Sequence, residues 1–412
     1  MNPLSRHTWC LLLLALTVCL LPGKALGEER EPLVQPDDSI RVSLLTCDSG
    51  VHIWTLFGHS ALRVQIPAKR IDWVFNYGMF NFAAPHFVLR FALGQTDYHL
   101  GVERYKYFAP DYRERGRSIW EQELNLTHEE KLRLLDALEE NYLPENREYR
   151  YNFLYDNCAT RPRDKVEQAI DGTLHYAADM ATTDTDITLR DVILHYCQGH
   201  PWSRLGMNLC LGSKADRPLN RRTLMFVPFV LQDYWREAKV VNARGEVRPL
   251  VTEERTVVDT GQTAADRYDH SPSPTACATV LLAIIVVLTI IEVRRKRSWW
   301  VIDALILTAA GLAGCLLTFL ALLSEHPCMS PNFMLLLLHP LHLLAMPCVV
   351  IRIARGRLSR YMAVMGVIFT LFILFMPIFP QKFDPAVVPL ALCLLTRCVG
   401  HVWLRATPLR RK

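Results

Sequence analysis

The sequence contains no Cys-x-x-Cys pair, although it has 12 cysteines. Structural zinc sites commonly draw their ligands from such closely spaced pairs, so the absence argues against a structural zinc site. Cysteine is also scarce in the polar part of the chain, where only Cys47, Cys158, Cys197 and Cys210 occur. Cys197 and Cys210 could form a disulfide in an oxidising compartment, but four cysteines allow three pairings and the sequence does not choose among them.

A basic surface for nucleic acid is also missing, despite a formal net charge of +5. Twelve lysines and arginines flank apolar segments, and removing their charges from +5 leaves the rest of the chain at −7. They are Arg294, Arg295, Lys296, Arg297, Arg352, Arg355, Arg357, Arg360, Arg405, Arg410, Arg411 and Lys412. This placement is typical of a membrane-topology signal, so nucleic acid is not an expected partner.

Long apolar runs are abundant in the last third of the chain. Five of them are close to the ~20 residues that cross a bilayer as a helix. They cover residues 275–293, 300–323, 333–351, 361–379 and 387–404. Basic clusters follow the first, third and fifth runs, and the other two connecting loops carry Lys382 alone as a basic residue. The positive-inside rule therefore predicts a cytoplasmic C-terminus and a head domain outside the cytoplasmic membrane.

The N-terminal segment agrees with this topology. Arg6 and His7 precede an apolar run, and Ala25-Leu26-Gly27 is a small-residue cleavage site, which together predict a signal peptide at residues 1–27. The other boundaries follow from composition. They are a head domain at 28–251, a polar linker at 252–274, a membrane domain at 275–404 and a cytoplasmic tail at 405–412.

The head domain has the mixed pattern of an α+β fold. Period-two alternation predicts strands at 40–46, 54–66 after an initial turn, 71–77, 98–108 and 118–126. Helices are predicted at 85–93, after a Thr127–Glu130 capping box, and at 187–196. Further segments are predicted as loops at 201–206 and 211–218, a hairpin at 240–250, and a helix at 224–235 that is either buried in the head or lies on the membrane surface.

The stretch from Tyr151 to Asp164 carries the strongest chemical signal. An Asp-Asn pair precedes Cys158 and a helical pattern follows it, so we expect the thiol in the first turn, at the positive end of the helix dipole. Arg161 and Arg163 lie within one turn, and all of these features favour a lowered thiol pKa. Cys158 is therefore the candidate nucleophile, and the alternative is a structural cysteine buried at a helix start.

A thiol nucleophile needs a general base, and His59 has the most suitable context among the histidines of the head domain. It opens a strand after Gly58, and alternation places it on one face of that strand with Arg63. The next strand carries both Asp72 and Asn76 on a single face, and either side chain could orient the imidazole. The sequence leaves the choice between Asp72 and Asn76 open.

The order of histidine on a strand and cysteine at a later helix start resembles circularly permuted papain-like enzymes. A set of motifs is more specifically similar to the Lnb family of bacterial lipoprotein N-acyltransferases. These motifs are Leu44-Leu-Thr-Cys47, Phe57-Gly-His59-Ser-Ala-Leu-Arg63, Phe75-Asn-Tyr-Gly78, Asp156-Asn-Cys158-Ala-Thr-Arg161, Ala215-Asp-Arg217 with Met225-Phe-Val-Pro228, and, in the membrane domain, His326-Pro327, Asn332 and His339-Pro340. Pro162 departs from the family pattern and predicts a kinked first turn.

The resemblance implies a permuted papain-like periplasmic domain followed by an all-α bundle of five transmembrane helices in the bacterial inner membrane. It further implies that Cys158 takes an acyl chain from a membrane phospholipid as a thioester. The chain would then pass to the N-terminal α-amine of a diacylglyceryl-cysteine lipoprotein, with His59 as base and acid. No cofactor is implied.

Six residues are candidate contacts for the lipid substrates. They are Arg63, Arg161 and Arg163 in the head domain, and His326, Asn332 and His339 in the membrane domain. For His326 and His339 the alternatives are headgroup binding, orientation of the head domain and interhelical hydrogen bonding.

Two other functions are compatible with the Cys-His pair. One is a cell-envelope cysteine peptidase or amidase, and the other is a non-enzymatic envelope protein in which Cys158 is structural, for example in a disulfide with Cys47. The five apolar runs favour a membrane-bound substrate, and hence the acyltransferase, because a soluble hydrolase would not need them.

Overall fold

A computed structural model of the chain describes residues 39–177 and 186–406. The strands of the head domain are β1 Arg41–Cys47, β2 His59–Ile66, β3 Ile71–Met79, β4 Asp97–Arg104, β5 Ile119–Leu124, β6 Glu148–Arg150, β7 Thr173–His175, β8 Lys239–Val241, β9 Val247–Pro249 and β10 Val251–Val258. Its helices are α1 Phe87–Leu93, α2 Tyr105–Glu114, α3 His128–Tyr142, α4 Thr160–Ala169, α5 Leu189–Tyr196, α6 Pro201–Cys210, α7 Arg221–Leu224 and α8 Pro228–Glu237. The predicted signal peptide lies outside the described residues.

Seven of these strands form one antiparallel sheet in the order β10-β5-β1-β2-β3-β4-β6. The pairing of β10 with β5 corrects the linker predicted at 252–274, because most of β10 falls within that range. As an edge strand β10 exposes half of its residues, and this polar composition made it resemble a linker. A second, small sheet contains β7, β8 and β9, in which β8 and β9 form the predicted hairpin.

The central strands β1 and β2 are buried along most of their length. Helix α2 covers one face of the sheet, where Phe108 and Tyr112 pack in one core with Leu45 and Ala61. The strand predicted at 98–108 is therefore too long. It ends with β4, and α2 takes over because the four-residue spacing of Phe108 and Tyr112 turns both side chains towards the sheet.

Local signals at helix starts have two different outcomes. The predicted capping box at the start of α3 is confirmed, since the Glu130 amide donates to Thr127 Oγ1 at 3.2 Å and the Thr127 amide donates to Glu130 Oε2 at 2.7 Å. The loop predicted at 201–206 is wrong, because these residues belong to α6. Pro201 occupies the first position of α6, where a missing N–H group costs no hydrogen bond.

Five candidate membrane spans follow the head domain. They are Pro274–Arg295, Trp300–Leu323, Phe333–Ala354, Arg360–Ile378 and Val387–Arg405. The first two are the helices α9 and α10, the third and fourth contain α11, Leu341–Ala354, and α12, Arg360–Phe375, and the last contains most of α13, Val387–Ala406. An α+β head domain followed by five helices long and apolar enough to cross a membrane confirms the predicted fold class.

The third span is interrupted near its start. A 3-10 helix at Phe333–Leu336 precedes the regular helix α11, Leu341–Ala354, and His339 lies between the two. The irregular backbone packs on Gly314 of α10, where a Cβ atom would lie 2.4 Å from the His339 backbone. Non-helical backbone at membrane depth is tolerated where protein covers it, and the glycine permits this close cover.

A buried ion cluster joins the first, second and fifth spans. The Arg397 guanidinium donates to the two Asp303 carboxylate oxygens at 2.8 and 2.9 Å, and it also bonds Thr289 and Glu292. Asp303 and Arg397 therefore form a buried ion pair. Because each charge would be very costly to bury alone, the cluster fixes how these spans pack.

Candidate active site

Cys158 lies in a turn two residues before α4 begins at Thr160. The side-chain oxygen of Asn157 accepts hydrogen bonds from the backbone amides of Ala159 at 2.8 Å and Thr160 at 3.0 Å. Asn157 therefore supplies the cap that the Asp-Asn pair predicted, and it holds the turn that carries the thiol. Cys158 precedes the first helical turn instead of lying in it.

The two arginines that follow Cys158 are both occupied by carboxylates. Arg161 forms two hydrogen bonds with Asp156, at 2.5 and 2.8 Å, and Arg163 bonds Asp164 at 2.8 Å. Arg161 also lies over the Tyr149 ring, 3.5 Å from its centroid. The carboxylates balance the charges of Arg161 and Arg163. Neither guanidinium is therefore free to activate the thiol or to bind a lipid headgroup.

Pro162 fits the helix that it was expected to kink. It is the third residue of α4, and the helix continues to Ala169. The amide groups of the first turn have no intrahelical acceptor, so a proline there removes no helical hydrogen bond.

The thiol of Cys158 is held in its neutral form. Burial raises its pKa to about 11, while the backbone N–H groups of Ser60 and of Cys158 itself, which donate to the sulfur, and the charge of Arg117 act in the opposite direction. The expectation that the helix dipole with Arg161 and Arg163 would lower this pKa is therefore wrong. Desolvation of the thiolate outweighs the positive groups around it.

The backbone of His59 adjoins this sulfur, because the amide of Ser60, the next residue on β2, donates to it. His59 Nε2 is 2.6 Å from the side-chain oxygen of Asn76 on β3. With an amide oxygen as acceptor, Nε2 carries the proton and Nδ1 keeps its lone pair. Burial lowers the pKa of His59 to about 4, although the bond that His59 donates to Asn76 acts in the opposite direction. At neutral pH the imidazole is thus an uncharged base oriented by Asn76.

Asp72 has a different partner. Both of its carboxylate oxygens accept hydrogen bonds from Arg63 at 2.8 Å. Arg63 is itself buried, bonds Glu121 at 3.2 Å and lies 3.4 Å from the ring centroid of Tyr105. The structure thus places Asn76, and not Asp72, on the imidazole, and it places Arg63 in a structural ion cluster and not on a lipid-binding surface.

Family models match both parts of the chain. The family model described as the Lnb N-terminal periplasmic domain matches residues 35–192, and the model described as the Lnb transmembrane domain matches residues 266–408. The chain belongs to the Lnb family. No match was found among curated proteins or solved structures. The chain is thus a multi-pass membrane protein of the Lnb family with a periplasmic domain.

Two buried polar atoms of this Lnb-family site have no hydrogen-bond partner among the described residues. They are Ser60 Oγ and Arg117 Nη2. Arg117 is 6 % exposed, donates to the Asp48 carbonyl at 2.7 Å and acts electrostatically on Cys158. Arg117 was not among the residues expected from the sequence, because it lies before β5 and belongs to no recognisable motif. The fold brings Arg117 within electrostatic range of Cys158, so no local pattern could have indicated its place.

His326 and Asn332 connect the membrane domain to the head domain. His326 Nε2 is 2.6 Å from the Phe91 carbonyl oxygen, and the His326 ring also packs on Phe153. Asn332 donates to the Leu209 carbonyl at 2.8 Å and accepts from Gln381. Among the alternatives for His326, these contacts fit orientation of the head domain. The hydrogen bonds of both His326 and Asn332 are made to other parts of the protein.

No interhelical hydrogen bond of His339 is found among the described residues, and its buried Nδ1 has no partner there. Its ring stacks on His342 with 4.0 Å between centroids, and His342 bonds the Tyr361 hydroxyl at 2.8 Å and the Leu337 carbonyl at 3.0 Å. These rings therefore link the third and fourth spans inside the membrane domain.

The cysteines give no sign of a disulfide. All ten in the described part of the chain are free thiols, including Cys47, Cys158, Cys197 and Cys210. Cys197 Sγ instead lies 3.4 Å from the Met207 sulfur. The structural alternative in which Cys158 is bonded to Cys47 does not match this state.

Separate substitutions of Asn76 and Asp72 test which of the two side chains orients the imidazole of His59. We expect Asn76→Ala to lower acyl transfer about tenfold to a hundredfold, because a hydrogen bond worth roughly 1.5–3 kcal/mol no longer orients the imidazole. Asp72→Asn is the matched control and should lower the unfolding temperature while leaving the rate within about twofold. Rate measurements and thermal unfolding of both purified variants check this. A larger rate loss for Asp72→Asn would contradict it.

Proposed function

We propose that the protein is a membrane-anchored cysteine acyltransferase of the inner membrane. It moves an acyl chain from a phospholipid, through a thioester on Cys158, to the N-terminal α-amine of diacylglyceryl-cysteine lipoproteins. The observation that carries the proposal is the placement of the Cys158 sulfur against the amide next to His59, whose ring is bonded to Asn76. Membership of the Lnb family and the five candidate spans support a membrane-bound substrate.

In the first half-reaction the Cys158 sulfur attacks the ester carbonyl carbon of the phospholipid. His59 Nδ1 accepts the thiol proton as the carbon–sulfur bond forms, because the neutral thiol is a poor nucleophile by itself. The carbon–oxygen bond of the ester then breaks, and His59 returns the proton to the leaving oxygen. A lysophospholipid departs, and the acyl chain remains on Cys158 as a thioester.

In the second half-reaction the α-amine of the lipoprotein attacks the thioester carbonyl carbon. His59 accepts a proton from the amine, and the carbon–sulfur bond breaks as the proton passes to the departing Cys158 sulfur. The products are an amide on the lipoprotein and the free enzyme. The cycle consumes no water, so the site must delay hydrolysis of the thioester until the amine arrives.

Arg117 is the cation best placed to assist both steps. Its unpartnered Nη2 and its effect on Cys158 support a role in stabilising negative charge that develops beside the sulfur. A positively charged group in a buried site acts more strongly there than in water, since little solvent screens it. We propose Arg117 as an electrostatic residue of the reaction.

Trapping of the thioester tests the proposal. The purified protein is incubated with a phospholipid that carries a labelled acyl chain, and the label is located by mass spectrometry of peptides. We expect the label on the peptide that contains Cys158 and its release by neutral hydroxylamine, which cleaves thioesters. Label that is absent from this peptide, or that is equal in wild type and Cys158→Ala, would refute the acyl-enzyme.

A further inference from the structure

An apolar patch of five side chains covers the edge of the head domain next to the membrane domain. The patch consists of Trp54, Phe82, Val88, Leu89 and Phe91. Val88 is 79 % exposed, Phe82 57 % and Trp54 55 %. The ring centroids of Trp54 and Phe82 lie 5.3 Å apart, so the loop after β1 and the segment before α1 contribute to one surface. Large apolar side chains clustered in this way indicate contact with a partner or a membrane.

The apolar patch is held close to the end of a membrane span. The Glu325 amide donates to the carbonyl of Leu93, the last residue of α1, at 2.8 Å. Glu325 comes two residues after Leu323, where α10 ends. A Cβ atom on Gly94 would lie 2.9 Å from the His326 amide, so the two chains meet at backbone distance. Helix α1 thus lies at the level where a lipid leaflet begins.

Charge is nearly absent around the apolar patch. Between residues 79 and 93 the only charged side chain is Arg90, and it is neutralised by Asp97 at 2.5 Å. A segment with so little charge and with an exposed tryptophan suits the interface of a bilayer, where aromatic residues are enriched. Two further exposed charges, Glu325 and Arg150, pair with each other at the end of α1.

A row of aromatic rings leads from the apolar patch to the thiol. Phe82 contacts Phe80 at 4.7 Å, Phe80 contacts Tyr98 at 5.0 Å, and Tyr98 stacks on Tyr151 at 4.1 Å between centroids. Tyr151 begins the loop that carries Cys158. Burial raises the pKa of Tyr98 to about 12 and Cys158 acts in the same direction, so this end of the row lies within electrostatic range of Cys158.

We propose that the apolar patch is inserted into the lipid leaflet on the head side of the membrane, and that the aromatic row guides the donor's acyl chain from this leaflet to Cys158. Insertion of the patch is independent of the proposed function, whereas guidance of the acyl chain rests on it. Apolar rings offer an acyl chain a continuous surface out of water, because burial of each methylene group is favourable.

Photocrosslinking tests the insertion without any need for activity. A benzophenone amino acid replaces Val88 in the full-length Cys158→Ala protein, which is reconstituted into vesicles of phosphatidylethanolamine and phosphatidylglycerol together with a diacylglyceryl lipoprotein. The matched control carries the benzophenone at Val247, which is 60 % exposed on β9. We expect phospholipid adducts at position 88 and at least about tenfold fewer at position 247. Equal yields, or adducts at position 88 to the lipoprotein alone, would overturn the insertion.

A comparison of two donors tests the guidance of the acyl chain. Val88→Asp with Leu89→Asp should lower thioester formation from vesicle phospholipid about tenfold or more, but leave acylation by a water-soluble short-chain thioester within about twofold. Val247→Asp should change neither rate. Equal loss with both donors, or loss with neither, would overturn the guidance. If the wild type forms no thioester with either donor, the proposed function fails, and the crosslinking result still decides the insertion.

Discussion

Lipoproteins from cells that carry Cys158→Ala are expected to keep a free N-terminal amine, as in cells without the protein. The rate should fall by more than about 10³-fold, because removal of a nucleophile abolishes the covalent path and leaves only binding contributions. Cys158 is half-buried in a turn that Asn157 holds, so alanine there should not unfold the domain. Mass spectrometry of lipoprotein N-termini counts the acyl chains directly.

Cys47→Ala is the matched control for this experiment. Cys47 is fully buried opposite His59 on the neighbouring strand, and burial raises its pKa to about 12. It should therefore act as a core residue, and its replacement should leave acyl counts unchanged wherever the protein accumulates. If Cys47→Ala loses activity and Cys158→Ala retains it, the nucleophile has been assigned to the wrong cysteine. An unchanged acyl count in cells without the protein would refute the transferase itself.

His59→Ala is expected to lower thioester formation about 10²- to 10⁴-fold, which is the usual range for loss of a general base. The effect should be large because Cys158 is neutral in the resting enzyme, with its pKa raised to about 11 by burial. Transfer of the thiol proton must accompany the attack, and no thiolate stands ready to react without the imidazole. Single-turnover labelling of Cys158 by phospholipid measures this step.

The pH dependence of the same step follows from the low pKa of His59. A general base acts in its unprotonated form, and burial keeps this imidazole unprotonated down to a pKa of about 4. Thioester formation should therefore stay nearly constant from pH 8 to pH 5 and decline below about pH 4. The acceptor amine takes no part in this half-reaction, so its titration does not enter. An acid limb centred near pH 6.5, the ordinary value for histidine, would contradict the neutral pair.

The uncharged states of the Cys158 thiol and the His59 imidazole bear on whether the site catalyses acyl transfer or peptide hydrolysis. A permanent thiolate would react with any electrophile in the compartment, whereas a neutral thiol reacts slowly until a substrate is bound. The stacked rings of Tyr98 and Tyr151 are buried within electrostatic range of Cys158. Both features suit a long-lived thioester that awaits an amine, and they favour the transferase over the peptidase or amidase alternative.

The sequence by itself determined the parts of this protein that depend on neighbouring residues. The capping signals at Thr127 and Asn157, the strand that carries His59 and the five apolar spans were all recognisable from short stretches of sequence. Helix caps and membrane spans can be read in this way because their stabilising groups lie within a few residues of one another.

Tertiary structure alone decided how these parts act on one another. Strand register gave the imidazole to Asn76 and left Asp72 to Arg63, while the folded sheet brought Arg117 to the thiol. It also added β10 to the sheet. The direction of the Cys158 pKa shift also depends on tertiary structure: the sequence predicts a lowered pKa, and the folded protein raises it. Local charges favour a thiolate, but desolvation depends on every chain segment packed around the sulfur, and that sum exists only in the folded protein.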